Sequence, residues 1–260
     1  PITHGPNGED GTLQGLLNQL NLPFVGPDVM GSAVALDKDF SKKLFAQAGI
    51  GCAEGVVLMR HLQDQIDYKE ITEQLGTTLF IKPANMGSSV GVHKTTDESS
   101  FHIAIKDAFQ YDTKILVEKA VVGRELECAV LGNEFPKAST VGEIIMQKGF
   151  YDFESKYISA DNALLYIPAQ NLESFIIEKI QDVAIRAYQA LGLEGLTRVD
   201  VFLTEANDII VNEVNTLPGF TAISMYPKLW ENSGISYTDL ITNLLDLAIA
   251  RHQRKQSLKS

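Results

Sequence analysis

From Leu196 to Trp230 the chain reads LTRVDVFLTEANDIIVNEVNTLPGFTAISMYPKLW, with apolar and polar positions alternating on both sides of a Thr-Glu-Ala-Asn-Asp turn and a Pro-Gly corner following. Period-two alternation marks half-buried strands, so the stretch predicts a hairpin. Successive strand side chains point to opposite faces. That geometry places Arg198 and Asp200 on one face of the first strand, and Val211, Glu213 and Asn215 on one face of the second. Upstream, GVVLMR, TLFIKP, VGVHKT and KILVEKAV predict strands, separated by helical patterns over 65–75 and 98–110. Residues 124–131 and 137–144 predict a pair of antiparallel strands. Helices are expected over 12–20, over 37–48 with Asp37 as cap and Gly49 as stop, over 171–191 with Gly192 as stop, and over 237–250. The terminal RHQRKQSLKS reads as a basic polar tail with no packing face. Residues 147–162, QKGFYDFESKYISADN, show no period and form a lid candidate. Strands alternating with helices make this an α/β chain.

A chain of 260 residues buries roughly three quarters of its unfolded surface, enough for one large or two modest domains. Its hydrophobic fraction of 45% fits a soluble globular protein. There is no apolar run of the ~18 residues that a membrane helix needs. The start, PITHGPNGED, resembles neither a signal peptide nor a transit sequence, so a cytoplasmic location is expected and no membrane partner. A net charge of −11 argues against nucleic acid as a partner, because such binding needs clustered Lys and Arg to displace counterions. Cys52 and Cys128 lack the paired spacing of a zinc site and read as buried free thiols.

Charge gains meaning once it is placed on the predicted elements. Carboxylates on the apolar side of a hairpin demand a partner. Asp200, Glu213 and Asn215 offer the hard oxygens that Mg²⁺ prefers, and Mg²⁺ typically adds phosphate oxygens to one or two carboxylates. Between two strands, Lys82-Pro-Ala-Asn-Met-Gly-Ser-Ser-Val-Gly91 supplies small residues whose backbone N–H groups close over phosphate oxygens, with Lys82 as a point charge. The spacing is not that of a P-loop. Lys38, in the first turn of its helix, opposes the helix dipole and points to a nearby anion. The strand ending at Glu118-Lys119-Ala120-Val121 suits an adenine slot, with a following carboxylate for ribose.

Taken together, R-V-D, N-E-V-N-T-L-P-G-F-T, S-M-Y-P-K-L-W and the K-P…G-S-S-V-G loop resemble the ATP-grasp ligases, and within them the D-alanine:D-alanine ligase family, over essentially the whole chain. The resemblance implies an ATP-grasp fold of two α/β subdomains, at 27–121 and 122–260, clasping ATP. Residues 1–26 would be the remnant of an N-terminal Rossmann-like domain whose glycine-rich loop and Glu are missing, leaving a poor catalyst that still binds ATP. It further implies Asp200, Glu213 and Asn215 as ligands of two Mg²⁺ or Mn²⁺ ions, and Arg198 and Gly219 at the tetrahedral intermediate. Lys38, Lys82, Gly87, Ser89 and Lys156 fall on ATP phosphates, Glu118, Lys119 and Val121 at adenine, and Glu125 at ribose. His4, Glu9 and Ser88 approach the first substrate, Ser88 being oriented by Tyr157. Ser224 and Lys156 hold the acceptor carboxylate. The implied activity is ATP-dependent coupling of two D-alanines through an acyl phosphate for peptidoglycan precursors, by a homodimer. Tyr157 favours D-alanine as acceptor. D-lactate or D-serine as acceptor, or an inactive ATP-binding fragment, are the alternatives.

Overall fold

Alternation decides which face of each sheet is core and which is site. The computed structural model describes residues 3, 5–146, 163–221 and 223–259. His4 and the whole lid candidate, with Lys156 and Tyr157, lie outside the described residues. The chain opens with three helices, α1 (Thr12–Gln19), α2 (Val29–Leu36) and α3 (Lys38–Gln47). A first unit follows: β1 (Gly55–Met59), α4 (Tyr68–Leu75), β2 (Leu79–Pro83), β3 (His93–Thr95), α5 (Glu98–Tyr111) and β4 (Lys114–Lys119). Its four strands form an antiparallel sheet in the order β1-β4-β2-β3. Leu79, Ile81, Ile115 and Val117 pack under α4 and α5 with Phe101, Ile105 and Phe109. The intervening positions, Phe80, Lys82, Leu116 and Glu118, fall on the opposite face.

The second unit holds β5 (Arg124–Gly132), β6 (Lys137–Met146), β7 (Ala163–Tyr166), α6 (Ser174–Ala190), β8 (Gly195–Leu203), β9 (Ile209–Asn215), α7 (Met225–Asn232) and α8 (Tyr237–Gln256). Its sheet runs β7-β6-β5-β8-β9, again antiparallel. Leu126, Cys128, Val199, Val201 and Val211 pack against α6 through Ile180, Ala184 and Tyr188. Ala35, Phe45 and Ile50, from the opening helices and the turn after α3, join this same core.

Side-chain caps set several helix starts. Asp37 accepts from the backbone N–H groups of Asp39 and Phe40, and Asp67 from those of Lys69 and Glu70. The second cap corrects the expected start at residue 65, since Arg60–Gln65 is a separate 3₁₀ turn. Two further expectations change. A bulge between Asp200 and Val201 pairs Val201 with Val211, whereas Asp200 pairs with Glu213. The extra residue, Asn212, turns Val211 into the core and away from the face of Glu213 and Asn215. The tail is not a tail: α8 continues to Gln256, and buried Arg251 donates to the carbonyls of Gly26 and Phe24. A basic run reads as solvated in sequence, but this arginine finds the carbonyls of the linker before α2.

Candidate active site

The polar face of the first sheet and the polar part of the second sheet's β5–β8–β9 face, whose remainder (Ala129, Leu131, Leu196) packs under α7 and α8, meet through lysines. Lys82 Nζ, on β2, lies 2.7 Å from Glu118 Oε2 on β4 and 3.4 Å from Asn212 Oδ1 on β9, so one side chain links both sheets. Lys38, at the start of α3, donates from Nζ to the Met86 carbonyl at 2.6 Å and stands 3.9 Å from Glu213 Oε2. Its backbone N–H donates to the Ala84 carbonyl. The first turn of α3 is thus fastened to the loop after β2, which explains a lysine where the helix dipole disfavours one. Burial draws the Lys38 ammonium below its ordinary value, and Glu213 works against that.

That loop is held at both ends. The Asn85 backbone N–H and side-chain amide both donate to Asp112 Oδ2, and a Cβ on Gly91 would come within 2.7 Å of the Tyr111 ring. Between the anchors, Ser88 and Ser89 adopt φ of 56° and 59°, a left-handed pair that non-glycine residues rarely form. Backbone in such turns gathers successive N–H groups into an anion-binding concavity, and strain of this kind clusters at ligand clamps. A Cβ on Gly87 would meet nothing within 4 Å, which leaves the loop open on that side.

On the hairpin, Arg198 Nε and Nη2 donate to the two Asp200 oxygens at 2.7 Å each, and Asn215 Nδ2 donates to Asp200 Oδ2 at 2.9 Å. Arg198 Nε is also 3.0 Å from Glu127 Oε2. Burial alone would lower the Arg198 pKa, but Asp200 and Glu127 hold it well above its ordinary value. Asp200 and Glu213 face each other directly across the strands. Among the described residues no three His, Cys, Asp or Glu side chains group closely enough to hold a metal on their own. Two carboxylates and one amide oxygen on one face nonetheless fit the modest protein share that Mg²⁺ takes when phosphate supplies the rest.

Glu9 is 7% exposed and acts as a brace: Oε2 accepts from the Gly5 N–H at 2.7 Å and Oε1 from the Leu217 N–H at 3.2 Å. A small cavity is lined by Glu9, Lys38, Met86, Gly87, Glu213 and Asn215. Ser224 Oγ receives the Thr221 N–H at 3.0 Å and stands where a Cβ on Gly219 would lie 3.0 Å away. Glu125 opens β5 opposite Phe202, on the face shared with Glu127 and Asp200. Lys119 is exposed at the end of β4 and Val121 half-buried in the connection to β5.

Three polar residues of the site escaped sequence reading. Lys42 sits one helical turn after Lys38, a spacing that shares a helix face and was the available signal. Glu127 alternates with Glu125 along β5. Asn212 became visible only through the bulge.

Two antiparallel sheets joined by Lys82, one of them carrying a left-handed Gly-Ser loop, form the ATP-grasp fold that the matched ligase structures share. The family described as D-ala D-ala ligase C-terminus matches residues 44–246. A D-alanine–D-alanine ligase of Shouchella clausii (strain KSM-K16) is 59% identical over 260 residues, which is all of this chain and 70% of that one. The solved structure of the VanG D-Ala:D-Ser ligase of Enterococcus faecalis matches with a TM-score of 0.87 and 40% identity, covering 95% of this chain and 71% of that one. A Bacillus anthracis D-alanine–D-alanine ligase solved in complex with ATP matches with a TM-score of 0.82 and 26% identity, covering 97% and 79%. The chain belongs to the D-alanine–D-alanine ligase family.

Proposed function

We propose that the protein is an ATP-dependent ligase joining two D-alanines into D-alanyl-D-alanine, for peptidoglycan precursors. The observation that carries this reading is the meeting of Lys38, Lys82 and the 84–92 loop with the Asp200–Glu213–Asn215 face, in a chain 59% identical to a ligase of that name.

The carboxylate of the first D-alanine takes the γ-phosphoryl group of ATP, releasing ADP and leaving an acyl phosphate. The amine of the second attacks the acyl carbon, and the tetrahedral intermediate expels inorganic phosphate and a proton. No enzyme nucleophile is needed, so positioning and charge carry the catalysis. In this scheme Lys38, Lys82, Gly87 and Ser89 take the phosphates, Glu125 the ribose, and Glu118, Lys119 and Val121 border adenine. Arg198 and the Gly219 backbone face the developing oxyanion, and Ser88 and Ser224 orient the amino acids. Glu9 keeps the 216–219 loop in register through the Leu217 N–H. Asp200, Glu213 and Asn215 would hold two Mg²⁺ or Mn²⁺ ions, and the metal would supply neutralisation of phosphoryl charge. His4, Lys156 and Tyr157 keep their expected roles in the proposal.

Phosphate release with ATP, Mg²⁺ and D-alanine, together with mass analysis of the product, tests the reaction. With D-serine added beside D-alanine, D-alanyl-D-serine in place of D-alanyl-D-alanine as the product would replace the acceptor. A D-Ala:D-Ser ligase matches this chain at 40% identity, the same figure as a D-alanine-D-alanine ligase of Coxiella burnetii, which is why both acceptors are assayed. A cytoplasmic homodimer completes the proposal, and light scattering reads the dimer. No described helix is long and apolar enough to cross a membrane.

A further inference from the structure

Lys42 takes no part in the reaction as written, yet its side chain is only 14% exposed in the cleft. Lys42 Nζ lies 2.5 Å from Glu118 Oε1, while Lys82 Nζ lies 2.7 Å from Oε2 of the same carboxylate. The side chains of Lys42, Glu118 and Lys82 are only 14%, 4% and 8% exposed, so solvent screens this trio weakly. Burial would raise the Glu118 carboxyl, but Lys82 and Lys42 together hold it below its ordinary value. Burial lowers the Lys42 ammonium while Glu118 draws it back. One carboxylate shared by two ammoniums leaves a net positive charge facing the cleft. A lone Lys82–Glu118 pair would be neutral.

We propose that Lys42 is a positioning residue of the nucleotide site, engaging one oxygen of Glu118 so that the Lys82 ammonium is not neutralised and keeps its charge for a polyphosphate. The assignment rests on the nucleotide reading of the cleft given above. Lys42 reaches Glu118 from α3, whose first turn also carries Lys38, so a single helix orders two cations of the site.

Calorimetric titration of wild type, Lys42→Met, Lys42→Arg, Glu118→Gln and the Lys42→Met/Glu118→Gln double variant with ATP and with adenosine tests it. Loss of an orienting partner commonly costs about 10-fold or more, so Lys42→Met is expected to bind ATP about 10-fold more weakly. Adenosine, which also borders Glu118, should lose distinctly less affinity than ATP, since only ATP uses the Lys82 charge, and Lys42→Arg should restore ATP binding. In the Glu118→Gln background the charge that Lys42 offsets is gone, and adding Lys42→Met should change ATP affinity less than about 2-fold. Unchanged ATP affinity in Lys42→Met, or equal losses for ATP and adenosine, overturns the proposal. If Lys42→Met does not fold, Lys42→Gln takes its place: weaker ATP binding that vanishes in the Glu118→Gln background supports the proposal, and full-strength ATP binding by Lys42→Gln overturns it. A wild type that binds no ATP overturns the nucleotide reading as well, whereas a binding wild type with a full-strength Lys42→Met removes Lys42 alone.

Discussion

Lys82 spans the two sheets through Glu118 and Asn212, which makes it the residue whose loss should be felt first. A charge-assisted contact is worth about 1.5–3 kcal/mol, so Lys82→Ala should weaken ATP binding by about 10- to 100-fold. Titration of a variant with an unchanged melting profile checks this, and unaltered affinity would leave the 84–92 loop a plain turn. A second residue-scale expectation concerns Cys128, fully buried between the sheet and α6, whose thiol burial pushes up to about 12. At pH 8 roughly one molecule in 10⁴ carries the thiolate, the reactive form. Native protein should therefore resist iodoacetamide at Cys128 and accept a second label only in denaturant. Mass spectrometry counts the labels, and rapid double labelling of native protein would contradict the burial.

At the scale of elements, period-two alternation exposed the β8–β9 hairpin because its polar site positions alternate with residues of the core under α6, although the same sheet carries a second core on its other face, against α7 and α8. The same rule located Asp200, Glu213 and Asn215 but misplaced Val211, since nothing in the text IIVNEV marks which residue a bulge will leave unpaired. Helix α2 went unread because its buried face is Gly31, Ser32 and Ala35, small residues that leave no amphipathic period. Smallness is what the packing requires: a Cβ on Gly31 would come within 3.0 Å of Leu193 Cδ2. The C-terminal turns of α8 escaped for the opposite reason, a charged residue serving as core. Arg251 is 3% exposed, donates to two carbonyls and has its guanidinium carbon 4.5 Å from the Phe24 ring centroid. Replacing it by Met would leave buried carbonyls unpaired, at a cost of about 2–4 kcal/mol. Urea denaturation should show that loss as a lower midpoint with an unchanged slope. A change under about 0.5 kcal/mol would mean that α8 does not hold the linker before α2.

For the whole molecule, each sheet has its own core, the second sheet one on each face, and polar links cross the cleft: Lys82 to Asn212, and Lys42 to Glu118 and Asp37 to Lys114 from α3. A ligand lying between the sheets therefore bonds two units that otherwise share few apolar contacts at the site, and it should stabilise both together. At 100 times its dissociation constant ATP adds about 2.7 kcal/mol, and at ~2–4 °C per kcal/mol for a chain near this size the melting temperature should rise by roughly 5–10 °C. The shift should depend on metal. Asp200 and Glu213 oppose each other on the hairpin beside Arg198 and Lys38, and incoming phosphates bring further negative charge that a metal cation would offset. Chelation by EDTA is accordingly expected to remove most of the ATP-induced shift while leaving the melting temperature of the free protein in place. Glu213→Gln, with one repelling charge fewer, should lose less of its shift on chelation than wild type does. Differential scanning calorimetry with and without EDTA reads both outcomes. An ATP shift that EDTA leaves at full size would move the metal away from Asp200, Glu213 and Asn215 and leave the lysines to hold the phosphates alone.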